Sequence, residues 1–270
     1  MCALAAVLGF WPELEWESAP VLAAFSGLVG GALLLRARVL ALRGDARPEY
    51  VGELSAELVT SARGISRGLE HTRFVVFDTE TTGLRPRMGD AIVSIGAVAL
   101  DGRQILMEQK FDELVDPGRK IPSASTRIHG ITDDMVVGKR PAASAIADFH
   151  GFCEGAVLVA HNAAFDLAFI AAMEHASAVH FSNPILDTMQ LSRHLHPREK
   201  DHSLDAIAIR YGIALEARHS AWGDALATAE IFARQIGELR DRNIMTLDDA
   251  LKACGTVAAL HRARAGSGDY

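Results

Sequence analysis

A short apolar run that ends in two acids is the feature that most constrains the fold of this chain. Residues 74–77 read Phe-Val-Val-Phe, and Asp78-Thr79-Glu80 follow directly. Such a run of β-branched and aromatic residues predicts a buried strand. Side chains at positions i and i+2 of a strand share a face, so Asp78 and Glu80 should be neighbours. Adjacent carboxylates repel unless a cation lies between them, which indicates a metal site, although a strand ending in a polar turn also fits.

A second predicted strand also ends in polar groups. Residues 157–160 are apolar, and His161 and Asn162 come next. Residues 163–173 then have a helical pattern, and Asp166 falls in the first turn of that helix. The positive end of a helix dipole stabilises an acid at this position. Asp166 is therefore either an ordinary helix-start acid or a further metal ligand, and His161 and Asn162 either cap the strand or join a site.

A third polar cluster precedes a long helical segment. Residues 222–236 are apolar at helical spacing, with Asp224 in the first turn and His219 in the loop before it. Histidine generally has an unperturbed pKa of about 6.5, so its side chain can accept a proton at neutral pH. Mg²⁺ and Mn²⁺ prefer carboxylate oxygens. Four converging carboxylates can hold two such ions about 4 Å apart, an arrangement that cleaves phosphodiester bonds.

Together these segments resemble the DEDD exonuclease superfamily in its histidine-containing (DEDDh) branch, and especially the proofreading epsilon subunits of bacterial DNA polymerase III. The resemblance covers about residues 73–240. The segments that carry it are 77–84, 128–132 (Ile-His-Gly-Ile-Thr), 160–166, 186–188, 203–206, and His219 with Asp224. It implies an RNase H-like α/β fold, with a mixed sheet of about five strands flanked by helices. It also implies a 3′–5′ exonuclease that releases nucleoside monophosphates.

The resemblance further implies a role for each residue. Asp78, Glu80 and Asp224 would hold one Mg²⁺ or Mn²⁺ ion. Asp78 would bridge to a second ion, with help from Asp166. His219 would be the general base that activates the attacking water. The residues expected beside the terminal nucleotide are Thr79, Thr82, Gly83, Leu84 and Asn162.

The expected partner is a single-stranded or frayed 3′ end of DNA, and two alternatives stay open. Related families trim RNA, although Thr-Glu-Thr-Thr-Gly-Leu at 79–84 is more similar to the proofreading branch. A membrane-tethered scaffold could use the fold without catalysis, but the complete set of acids argues against it. A polymerase partner is left open, because no segment outside the predicted domain clearly matches a polymerase-binding or sliding-clamp peptide.

Composition sets limits on how the chain reaches nucleic acid. It has 270 residues and a net charge of −7. An acidic protein binds DNA poorly without specific help, since phosphate contacts normally come from Lys and Arg. Bound metal ions would reverse the local charge at the site. The three scattered cysteines, Cys2, Cys153 and Cys254, favour reduced thiols in a cytosolic catalytic domain over a disulfide framework.

The N-terminal segment 1–47 is apolar and lies outside the exonuclease pattern. Its residues 19–35 form a stretch of seventeen without a charge, the short end of the range for a membrane span. Acids precede this stretch and arginines follow it, so the C-terminal side should face the cytoplasm. The sequence therefore predicts a catalytic domain anchored to the inner face of the plasma membrane. A buried helix is the main alternative, and a signal peptide would need a basic start that is lacking.

The remaining segments divide into a helical linker at 48–72, an exonuclease domain at 73–240, and a C-terminal helix and tail at 241–270. Asp101-Gly102 between apolar runs predicts a β-hairpin. The predicted strands are 74–79, 91–100, 104–115, 157–160 and 184–187. The predicted helices include 142–152, 165–175, 222–236 and 246–264.

Overall fold

The computed structural model describes residues 67–215 and 217–255. Their centre is a five-stranded sheet with the order β3-β2-β1-β4-β5. The strands are β1 (Arg73–Thr81), β2 (Ile92–Asp101), β3 (Gln104–Leu114), β4 (Val157–Ala160) and β5 (Ile185–Asp187). β1 runs antiparallel to β2 and parallel to β4, and β4 runs parallel to β5. The predicted α/β fold with a mixed sheet of about five strands is confirmed.

Eight helices accompany the sheet within the described residues. They are α1 (Ser123–His129), α2 (Asp133–Val136), α3 (Ala142–Phe152), α4 (Ala163–Ser177), α5 (Thr188–Leu195), α6 (Leu204–Tyr211), α7 (Ala221–Asp241) and α8 (Leu247–Cys254). Short 3₁₀ turns lie at Leu69–His71 and Pro86–Met88. The helix predicted at 246–264 ends at Cys254, because Gly255 adopts a left-handed backbone with φ 56°.

Alternation along β1 divides the core into two layers. Val75 and Phe77 belong to the cluster that α3 and α4 contribute to, while Phe74 and Val76 belong to the cluster of α5, α7 and α8. The ring of Phe74 meets Phe232 of α7 edge-on at 4.8 Å. Because the alternation continues past Phe77, even-numbered residues at the end of β1 face α7 and odd-numbered residues face α4. The polar residues at the end of β1 therefore point toward both layers.

The hairpin between β2 and β3 fixes the order of the first three strands. Asp101 pairs with Gln104, so Gly102 and Arg103 form the connection predicted at Asp101-Gly102. Gly102 has φ 55°, and a Cβ there would lie 2.5 Å from the backbone oxygen of Glu70. A residue without a side chain is required at this turn for both reasons.

The predicted N-terminal anchor and most of the predicted linker lie outside the described residues. No helix within 67–215 and 217–255 combines the length and apolar character needed to cross a membrane. The predicted segments 1–47 and 48–66 are not among those residues.

Candidate active site

Three of the predicted metal ligands come together at the end of β1 and the start of α7. Asp78 and Glu80 lie on the face of β1 that α7 covers, and Asp224 lies in the first turn of α7. One carboxylate oxygen from each of these residues lies within 4.8 Å of those of the other two. This spacing suits a hard divalent cation, which takes several oxygen ligands at about 2.0–2.6 Å.

A glycine on β2 allows α7 to approach this closely. Gly96 pairs with Asp78 across the β1–β2 ladder. A Cβ at Gly96 would lie 2.2 Å from the carbonyl carbon of Ala221, the first residue of α7. No real side chain fits that space, so the start of α7 packs directly on the strand backbone. Asp224 reaches the β1 acids because of this contact.

Asp166 reaches β1 from the opposite layer. It lies in the first turn of α4 and is buried. Its Oδ1 accepts hydrogen bonds from the backbone N of Thr79 at 3.0 Å and from Thr79 Oγ1 at 2.7 Å. Asp166 is outside the compact set of three acids, but its charge acts on Asp78 and Glu80. The structure therefore brings all four predicted acids to one end of the sheet, three in close contact and one beside them.

Mutual repulsion and burial make these carboxyl groups hard to ionise in the absence of a cation. Burial, Asp166, Glu80 and Asp224 raise the pKa of Asp78 well above its usual range, against an opposing effect of Arg218. Burial followed by the charges of Asp224 and Asp166 raises the pKa of Glu80 to about 7. Burial also raises the pKa of Asp166, although the bonds from Thr79 work in the other direction. A bound divalent cation would reverse this balance.

The two oxygens of Asp224 have different surroundings. Oδ2 accepts a hydrogen bond from Arg218 Nη1 at 2.5 Å and one from the backbone N of His219 at 3.2 Å. Oδ1 is buried and, among the residues described, has no hydrogen-bond partner. Buried polar atoms normally have a partner, so an oxygen left free beside two other carboxylates fits a metal ligand.

His219 lies in the loop before α7, five residues before Asp224. It has a left-handed backbone with φ 60° in the loop that leads into α7. The next residue, Ser220, caps α7 by accepting a hydrogen bond from the backbone N of Gly223. The His219 side chain is exposed. Its backbone N donates to Asp224 Oδ2 at 3.2 Å, so the loop that carries this exposed imidazole is fixed to one of the acids.

The predicted substrate-side residues fall into two groups. Leu84 is 71% exposed, and Asn162 is exposed with a left-handed backbone of φ 60°. The hydroxyl groups of Thr79 and Thr82 are buried and bonded within the protein, to Asp166 and to the backbone N of Ala91. Gly83 is the fifth of these residues, and a Cβ there would lie 2.4 Å from a carboxylate oxygen of Asp90.

Sequence reasoning missed three polar residues that shape the site. Asp187, at the end of β5, accepts hydrogen bonds from the backbone N of Asn162 and of Ala163, at 3.1 and 3.2 Å, and so fixes the start of α4. Arg218 and its partner Asp205 were not assigned a role. Part of the signal for Asp187 was present, because an acid that follows an apolar strand and precedes a helix is a typical cap. Asp187 does accept a hydrogen bond from the backbone N of Met189 in α5 at 2.9 Å, but its contact with the start of α4 had no local signal.

His161 is a second histidine near the acids. Its Nδ1 lies 3.0 Å from Thr188 Oγ1, and burial, followed by the charge of Arg218, lowers its pKa to about 4. The ring is therefore neutral at physiological pH. This contact with α5 corresponds to the alternative in which His161 caps the end of the strand.

Comparison with known proteins agrees with this geometry. The sequence profile of the family described as Exonuclease (RNase_T) matches residues 75–232, more than half of the chain. The chain belongs to this exonuclease family. A DNA polymerase III subunit epsilon-like protein of Rhodobacter capsulatus is 50% identical over 186 residues, which cover 68% of this chain and 26% of that protein. A PolC-type DNA polymerase III of Streptococcus agalactiae is 38% identical over 194 residues, 70% of this chain and 13% of that protein.

The solved structure of Exonuclease X in complex with 5′ overhanging duplex DNA has a similar fold. It superposes with a TM-score of 0.52 at 26% sequence identity, over 68% of this chain and 99% of that one. The predicted family and the predicted RNase H-like fold are thus confirmed. This exonuclease domain spans only 26% and 13% of the length of the two polymerase III relatives.

Proposed function

We propose that this chain is a metal-dependent 3′–5′ exonuclease that removes nucleoside monophosphates from the 3′ end of nucleic acid, with DNA favoured. The observation that carries the proposal is the convergence of Asp78, Glu80 and Asp224, whose carboxylate oxygens lie within 4.8 Å of one another. Membership of the exonuclease family supports the same reaction class.

The donor set fits two divalent cations, Mg²⁺ or Mn²⁺. All the candidate ligands are carboxylate oxygens, which hard cations prefer. Asp78, Glu80 and Asp224 would hold the first ion. Asp78 would bridge to the second, with Asp166 assisting directly or through water. The free Oδ1 of Asp224 and the raised pKa of Glu80 both support this assignment, because each indicates a site that is incomplete without positive charge.

The protein's own residues would position the reacting groups. When bound, the ions would neutralise charge on the scissile phosphate and stabilise the attacking and leaving oxygens. His219, exposed in the loop before α7, would take the proton from the attacking water. Thr79 would hold Asp166 in place through two hydrogen bonds. The hydrogen bond from the His219 backbone to Asp224 would hold the loop of the base at a fixed position relative to the metal ligand.

The terminal nucleotide would bind beside the exposed residues of the substrate side. Leu84, which is 71% exposed, would pack against the terminal base, and Asn162 would contact the sugar-phosphate. The backbone of three further residues would form part of the surface that contacts this nucleotide: Thr79, Thr82 and Gly83. Two observations support DNA as substrate: the polymerase III names of the relatives, and the duplex DNA bound in the similar structure of Exonuclease X.

The proposed organisation places this domain at 73–240, after an apolar segment at 1–47 and a linker at 48–72, and before a helix and tail at 241–270. Association with the inner face of the plasma membrane through 19–35 is part of the proposal and rests on the sequence alone. Fractionation of cells that express the full chain, compared with a variant carrying Leu33→Arg and Leu34→Arg, tests it. Wild-type protein that stays in the soluble fraction would contradict the anchor.

The test of the activity is hydrolysis of 5′-labelled strands. The full chain is incubated with matched single-stranded DNA and RNA in Mg²⁺, Mn²⁺ or chelator, with Asp166→Ala as the control for contaminating nuclease. We expect a ladder that shortens from the 3′ end and is absent with chelator and in the variant. Faster turnover of RNA would assign RNA trimming instead. Metal-dependent binding of either strand without hydrolysis would indicate a scaffold.

A further inference from the structure

An ion-pair bridge connects α6 to the metal-ligand end of α7. Arg218 donates to both oxygens of Asp205, from Nε at 3.0 Å and from Nη2 at 2.9 Å. Its third nitrogen, Nη1, donates to Asp224 Oδ2 at 2.5 Å. The planar guanidinium thus contacts two carboxylates that belong to different helices. A rigid fork of this kind fixes direction as well as charge.

The bridge makes the two oxygens of Asp224 unequal. Oδ2 is occupied by Arg218 and by the backbone N of His219, at 3.2 Å. Oδ1 is buried and has no hydrogen-bond partner within the described part of the chain. A half-turn of the carboxylate would only exchange two equivalent oxygens, whereas any smaller rotation would weaken both contacts to Oδ2. The bridge therefore holds the free oxygen in one direction.

We propose that Arg218, anchored by Asp205, is a positioning residue that presents Asp224 as a one-oxygen metal ligand through Oδ1. Outer partners of this type orient metal ligands and typically change metal affinity when they are removed. Because Asp224 Oδ2 also accepts from His219, the same bridge ties the loop of the proposed base to the ligand. This inference rests on the proposed metal-dependent function and adds two residues to it.

A simpler role for Arg218 predicts the opposite change in metal affinity when the residue is replaced. A cation that merely lies close to the site repels a metal ion, so its removal would tighten metal binding. A positioning role predicts weaker binding. Replacement of Asp205 removes the anchor and leaves the Arg218 charge in place, but it also removes one negative charge, so the direction of the affinity change in Arg218→Gln is what separates the two roles. The Asp205 side chain is 55% exposed, so its replacement should leave the fold intact.

The experiment measures Mn²⁺ binding to the full chain by calorimetry, without nucleic acid. Arg218→Gln should weaken Mn²⁺ binding by about 10- to 100-fold, and Asp205→Asn by about 3- to 10-fold, since the latter acts one step further from the metal. Arg218→Lys should bind Mn²⁺ about as weakly as Arg218→Gln, because one ammonium group cannot hold two carboxylates in fixed directions. Asp148→Asn removes an arginine–carboxylate pair elsewhere, with Arg140 at 2.8 Å, and is the matched control. It should change the affinity by less than about twofold.

A second readout separates positioning from damage to the fold. Raising Mn²⁺ should restore kcat of Asp205→Asn to near the wild-type value, whereas a folding defect would not respond to metal. Unchanged affinity in both Arg218→Gln and Asp205→Asn, or tighter binding in Arg218→Gln, would overturn the inference. Wild-type affinity in Arg218→Lys would do so too, since charge alone would then suffice. If Mn²⁺ affinity differs among the variants as predicted but the wild-type chain hydrolyses no nucleic acid, only the proposed function is refuted.

Discussion

Replacing Glu80 by Gln should stabilise the metal-free protein while it removes a metal ligand. Glu80 is half-buried beside Asp78 and Asp224, and burial with the neighbouring charges raises its pKa from 4.5 to about 7. At about 1.4 kcal/mol per pKa unit, that rise corresponds to a cost of about 3 kcal/mol for keeping Glu80 ionised in the folded state. Water screens a half-buried group, so we expect a measured gain of about 1–3 kcal/mol.

The dependence on pH gives this prediction its sign. A carboxyl group with a raised folded-state pKa contributes stability that is fully present below pH 4.5 and is lost as the pH rises through about 7. Gln behaves like the protonated form at every pH. The difference in free energy of unfolding between Glu80→Gln and wild type should therefore be smallest at pH 5 and largest above pH 8.

The assay is urea or thermal unfolding of the full chain in chelator, from pH 5 to 9. A gain of 2 kcal/mol would raise Tm by about 4–8 °C for a domain of this size. Glu230→Gln is the matched control, because Glu230 lies on α7 but outside the acidic cluster. Asp224→Asn should not stabilise the protein in the same way, since it breaks the contact with Arg218. A Glu80→Gln protein no more stable than wild type at pH 8.5, or a gain that does not vary with pH, would refute the electrostatic reasoning.

Three further predictions concern how the site is held. Gly96→Ala should displace the start of α7, because its methyl group would lie 2.2 Å from Ala221. We expect Mn²⁺ binding at least about 10-fold weaker by calorimetry, and a loss of about 1–3 kcal/mol in the free energy of unfolding. Thr79→Val removes the hydroxyl that donates to Asp166, and should lower the free energy of unfolding by about 1–3 kcal/mol and reduce kcat. Thr79→Ser should keep both quantities near wild type, and unfolding and turnover assays measure them. His219→Ala should lower the single-turnover rate by about 10²–10⁴-fold at saturating Mn²⁺; a variant that keeps the wild-type rate would remove His219 from the role of base.

Local sequence patterns were sufficient for the strands and for the facing of the acids. Period-two alternation predicted that Asp78 and Glu80 share a face, and the structure has them on the α7 side of β1 with Thr79 on the α4 side. Apolar runs also predicted β4 at its observed bounds, Val157–Ala160. These features depend on residues that are close in the chain, which is why the sequence alone could specify them.

Features that depend on long-range contacts could not be predicted. The approach of α7 to Gly96 joins residues about 125 positions apart, and nothing near Gly96 in the sequence announces it. The bond from Thr79 to Asp166 spans 87 positions, so Thr79 could be assigned to the substrate side but not to an internal contact. The pairing of Arg218 with Asp205 requires α6 and α7 to pack together, and charged residues at that spacing are common on solvated surfaces.

The most direct test of the account is the release of mononucleotide from a 5′-labelled DNA strand as Mg²⁺ is titrated, for wild type and Asp78→Asn side by side. Asp78→Asn keeps the size and shape of the side chain and removes one charge from the centre of the cluster. We predict saturable, metal-dependent shortening from the 3′ end by wild type, and a rate at least about 10³-fold lower for the variant at every Mg²⁺ concentration. Equal rates for the two proteins would contradict the claim that these carboxylates form the catalytic centre.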